Sequence, residues 1–83
     1  MVYETKTRYL HTGVRDIVKL NPTENRLLIC LSSCDCRSYQ ELEEYIQKTN
    51  ISRIVNNLRR KSGLRIITRK NFGTRLDDEI YFE

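Results

Sequence analysis

The sequence predicts an α+β fold, and three observations carry that expectation. The first 20 residues are rich in Tyr, Thr, Val and Ile and are broken at Thr12-Gly13. Three central stretches then place apolar residues at helical spacing, two of them behind capping residues. The end of the chain returns to a β-branched run, a turn and a second extended run.

The early stretch reads as short strands over residues 3–7, 9–11 and 15–20. Asn21-Pro22-Thr23-Glu24 then combines an N-cap, a proline at the first helical position and a glutamate placed to bond back to the cap. Leu27, Leu28 and Leu31 supply the buried face, so helix one should run to residue 31 or 32. Residues 33–37 read as a loop. Ser38-Tyr39-Gln40-Glu41 is a second capping box, and Leu42, Tyr45 and Ile46 form the apolar stripe of helix two. The outer face of that helix carries Glu41, Glu43 and Glu44. After a turn at Lys48-Thr49-Asn50, Ile51, Ile54, Val55 and Leu58 predict a third helix over about residues 51–62, stopped by Gly63. Residues 64–68 and 74–82 should pair as a hairpin around Asn71 and Gly73. Two short helices joined by a tight turn and followed by a hairpin make a winged helix-turn-helix. One domain over residues 1–83 is expected.

Charge is distributed unevenly. Residues 52–76 hold eight Lys or Arg and no acid, which against a total of +4 leaves the rest of the chain at −4. Such asymmetry points to a polyanionic partner. A recognition helix needs one face to pack and another to offer donors in the major groove of double-stranded DNA. The apolar stripe supplies the first face. Arg53, Asn56, Asn57 and Arg60 fall on the other, with Ser52 short enough to permit close approach. Arginine can pair with guanine and asparagine with adenine, each bidentately. Arg59 and Lys61 flank the helix and are expected on phosphates. In the hairpin wing, over about residues 64–82, Arg69, Lys70, Asn71 and Arg75 are expected on the minor groove or the backbone. Phe72 reads first as a residue packing the hairpin onto the core, with a wedge against the sugars as the alternative.

These residues carry a resemblance. Leu20-Asn21-Pro22-Thr23-Glu24 with Arg26-Leu27-Leu28, the Ser38 to Leu42 run, Leu58-Arg59-Arg60-Lys61, and the wing residues Ile67-Thr68, Gly73 and Arg75-Leu76 stand in one order. That order resembles the DNA-binding output domain of OmpR/PhoB-type response regulators. The resemblance implies a transcriptional regulator with its third helix in the major groove and its wing in the minor groove. It also implies binding as a homodimer or as tandem copies on repeated half-sites. The domain is expected to stand alone, without a receiver. Its link between helices two and three, about residues 47–50, is shorter than the family's polymerase-contacting loop. The wing departs from the family's pattern at Arg69, Asn71 and Thr74.

Other chemistries have thinner support. Cys30, Cys34 and Cys36 are an odd set with no obvious fourth metal ligand, so no metal or cofactor is expected and reduced thiols in a cytoplasmic protein fit best. His11 is the only histidine and has no catalytic partner motif, so the chain is not expected to be an enzyme. The longest apolar run covers residues 27–31, too short to span a bilayer. The acidic second helix and the tail from Asp77 to Glu83 keep a second reading open. In that reading the winged helix binds a protein of the transcription machinery and does not read DNA.

Overall fold

The extended N-terminal residues form a meander, as their β-branched and aromatic composition predicts. The computed structural model describes residues 1–13, 15–33, 38–69 and 73–83. Strand β1 (Val2–Glu4) pairs antiparallel with β2 (Tyr9–His11), which pairs antiparallel with β3 (Ile17–Lys19). The first strand is shorter than expected because the chain turns over residues 5–8. Arg8 closes that turn in the left-handed region at φ 61°, with its N–H on the Glu4 carbonyl at 2.8 Å. The Arg8 side chain also ties the sheet to the entry of the first helix, since its Nε donates to the Leu20 carbonyl at 3.0 Å.

Helix α1 (Pro22–Ser32) begins where its capping box requires. Asn21 Oδ1 accepts from the Glu24 N–H at 2.7 Å, and Glu24 Oε1 accepts from the Asn21 N–H at 3.0 Å. A cap of this kind stabilises a helix by about 1 kcal/mol. Leu27, Leu28, Cys30 and Leu31 bury one face of α1. Helix α2 (Tyr39–Ile46) starts behind Ser38, whose Oγ accepts from the Glu41 N–H at 3.2 Å. Leu42 and Ile46 are buried as expected, whereas Tyr45 is 60% exposed. The turn into helix α3 (Ile51–Ser62) is tight because Gln47 and Asn50 both take left-handed backbone, at φ 55° and 59°. Gly63 ends α3 in the same region, its N–H on the Arg59 carbonyl at 2.8 Å. Glycine carries no Cβ penalty there.

Strands β4 (Ile66–Arg69) and β5 (Gly73–Leu76) form the antiparallel hairpin. Residues 74–82 do not continue as one strand, contrary to expectation. The Arg65 N–H donates to Asp78 Oδ2 at 2.7 Å, and the chain leaves the hairpin there. It returns to the N-terminal sheet as β6 (Tyr81–Phe82), parallel to β1. The four-stranded sheet therefore runs β3-β2-β1-β6, and the hairpin stands apart as a second sheet.

One core joins these layers. Tyr3 and Leu10 from the sheet meet Leu27, Leu28 and Leu31 of α1, Leu42 and Ile46 of α2, and Ile51, Val55 and Leu58 of α3. Tyr3 is fully buried, donates its hydroxyl to Asn25 Oδ1, and meets Phe82 edge-to-face at 5.8 Å. The fold is α+β, with N-terminal strands, three helices and a C-terminal hairpin in winged helix-turn-helix order. No helix among the described residues is long and apolar enough to cross a membrane.

Candidate nucleic-acid interface

Helix α3 is held by its apolar stripe, and that stripe decides which residues face outward. Ile51, Val55 and Leu58 are buried, and Ile54 is half-buried. Ser52, Arg53, Asn56, Asn57 and Arg60 are all exposed on the opposite face. Together with Asn50 they line one open hollow along the helix. The structure thus brings together five of the residues expected to read DNA and adds Asn50, which the sequence marked only as a turn residue. Its signal was present in part, because a residue one position before a helix shares the surface of the first turn.

Arg59 and Lys61 bracket this face and are both engaged inside the fold. Arg59 lies one turn on from Asn56, and its Nη1 donates to Asn56 Oδ1 at 2.9 Å. Its Nη2 donates to the Ile66 carbonyl on β4. Lys61 lies at the other edge, its Nζ 2.9 Å from Oε1 of the buried Glu24. The expected phosphate contacts at these two positions compete with internal partners that hold α3 to the hairpin and to the start of α1.

The hairpin alternates as a two-faced ribbon. Thr68 and Thr74 pair on its inner face, their hydroxyls 3.1 Å apart, and Thr74 is fully buried. The Tyr39 hydroxyl extends this chain from α2, 3.4 Å from Thr68 Oγ1. Arg69 and Arg75 therefore share the outer face as diagonal neighbours. Arg75 Nη2 approaches Asp77 Oδ1 at 3.5 Å, a half-exposed pair of the kind that contributes little to stability. Lys70, Asn71 and Phe72, expected at the wing tip, lie outside the described residues.

Arg53, Arg60 and Arg69 make no side-chain hydrogen bond or ion pair among the described residues. Their charge is left to solvent or to a ligand. Cys30 is buried on α1, and Cys34 and Cys36 lie outside the described residues. Among the described residues no three His, Cys, Asp or Glu side chains gather as metal ligands. No protein-family model matches the chain, and no curated protein or solved structure matches it either.

Proposed function

We propose that this chain is a sequence-specific double-stranded DNA-binding protein that regulates transcription, related in design to OmpR/PhoB-type output domains. Helix α3 enters the major groove, and the hairpin lies on the minor groove or backbone. One observation carries the reading. Arg53, Asn56, Asn57 and Arg60 share an exposed helix face whose opposite side is fixed in the core, with no acid on the helix. That arrangement offers guanidinium and amide groups to base edges from a rigid support. The order of strands, helices and hairpin supports the likeness to the output-domain fold, and paired or tandem copies on repeated half-sites belong to the same reading.

Among the described residues, Arg53 and Arg60 of α3 and Arg69 and Arg75 of the hairpin are exposed cations with no buried partner. Neutralising about four phosphates gives a log–log salt slope near −4. Titration of a fluorescent random-sequence duplex should therefore show affinity falling about 100-fold between about 50 and 200 mM salt. Exposed Glu41, Glu43, Glu44 and Tyr45 on α2 favour the second reading, in which a protein partner docks there. That reading predicts no salt-sensitive duplex binding in the same titration.

A further inference from the structure

Arg59 does more than flank the exposed face of α3. Its guanidinium is a planar fork of donors with no acceptor. One arm is fixed on the Ile66 carbonyl of β4, and the other reaches Asn56 Oδ1 at 2.9 Å. Because arginine can only donate, the oxygen of the Asn56 amide must face Arg59. The amide NH2 then faces away from Arg59, and Asn56 lines the hollow it shares with Arg53 and Arg60.

This changes what Asn56 can read. A freely turning asparagine offers one acceptor and one donor side by side, the match for adenine N6 and N7. With its oxygen turned toward the guanidinium, the edge that Asn56 turns away from Arg59 is its NH2, a pair of donors. Arg53 and Arg60 also present donors only. The complement of such a face is a base edge made of acceptors, namely N7 and O6 of guanine.

We infer that Arg59 is a positioning residue that locks Asn56 as a hydrogen-bond donor, so that α3 selects guanine over adenine at the base Asn56 faces. The inference rests on the duplex-DNA reading above. It also links the two halves of the interface, because the residue that orients the Asn56 amide is anchored on the first strand of the wing.

The test is selection of bound sequences from a random duplex pool with the wild-type chain and with Arg59→Met, Arg59→Lys and Asn56→Asp, each checked by thermal melting. The wild type should enrich a half-site with guanine at one position and adenine disfavoured there by about tenfold or more. Arg59→Met and Arg59→Lys should both lose that discrimination at that position alone. Lysine keeps the charge but not the fork, so a simple phosphate contact would be rescued by it and the lock would not. Asn56→Asp keeps the Arg59 partner and replaces the outward NH2 with an acceptor, so preference should move to cytosine, whose N4 donates. Asn56 is exposed, so this variant keeps the fold and identifies the base that Asn56 faces, and adenine at that position in the wild-type site overturns the lock even where an Arg59 variant fails to fold. An enriched site whose guanine preference is unchanged in Arg59→Lys, or one with adenine at that position, overturns the inference and leaves the DNA-binding reading standing. Failure of the wild type to enrich any sequence overturns that reading itself.

Discussion

Lys61 holds its Nζ 2.9 Å from Oε1 of Glu24, a carboxylate that is only 5% exposed. The same Oε1 accepts the Asn21 N–H, so one oxygen serves both the cap of α1 and the last turn of α3. A basic residue in the last turn of α3 is thereby committed to stability.

Lys61→Met is expected to leave the buried Glu24 carboxylate short of a partner and to cost about 1–3 kcal/mol. For a domain of this size that lowers the melting temperature by roughly 4–8 °C per kcal/mol. The salt slope for duplex binding should stay as in the wild type. A slope reduced by about one, with an unchanged melt, would place Lys61 on a phosphate instead.

Much of the fold was legible in short-range patterns. Asn21, Pro22 and Glu24 announce the start of α1, and Ile51, Val55 and Leu58 announce the buried side of α3, because caps and helical periodicity are local. The exposed polar face follows from the same periodicity by subtraction. What the sequence hid is non-local. Nothing in Tyr81-Phe82 reveals a partner at the other end of the chain, yet β6 lies beside β1. Arg59 and Lys61 read as surface cations because their partners, Ile66 and Glu24, become neighbours only after packing. Tyr45 fits the apolar stripe of α2 by spacing but lies outside the core, since an eight-residue helix buries only Leu42 and Ile46.

Burial, the largest influence, holds the Tyr3 phenol above the usual tyrosine value of 10.0, with Arg8 opposing the shift and Glu24 adding to it. The stability that neutral Tyr3 contributes is fully present below about pH 10 and is lost as pH rises through its folded value, because the unfolded phenol ionises first. Tyr3→Phe should be less stable at neutral pH by about 1 kcal/mol, having lost the bond to Asn25. Its stability should also decline less steeply above pH 10. Urea denaturation from neutral to alkaline pH reads both effects, and parallel alkaline limbs would contradict the assignment.

Gln47 takes left-handed backbone at φ 55° at the end of α2, where an L side chain is strained. Gln47→Gly should stabilise the protein by up to about 1 kcal/mol in the same denaturation experiment, because relief of about 1–2 kcal/mol of left-handed strain exceeds the roughly 0.5–1 kcal/mol entropic cost of glycine. Asn50 shares this backbone region but lines the hollow, so Gln47 isolates the backbone effect. Loss of stability in Gln47→Gly would show that the side chain matters more than the strain.

Arg69 lies on the outer face of the hairpin as a candidate backbone contact. Arg69→Ala should weaken binding to all duplex sequences alike and reduce the salt slope by about one. A loss confined to one base position would assign it to base reading.

If the exposed face of α3 holds duplex DNA, binding depends on Arg53 and Arg60. Both are exposed and make no side-chain bond among the described residues, so replacing them should leave the fold intact. The decisive measurement is the equilibrium affinity of the Arg53→Ala, Arg60→Ala double variant for one selected duplex, beside its thermal melt. The proposed function predicts an unchanged melt and a loss of roughly 2–6 kcal/mol in binding if each arginine makes a bidentate base contact. Wild-type affinity in the double variant would show that duplex DNA does not sit on this face of α3.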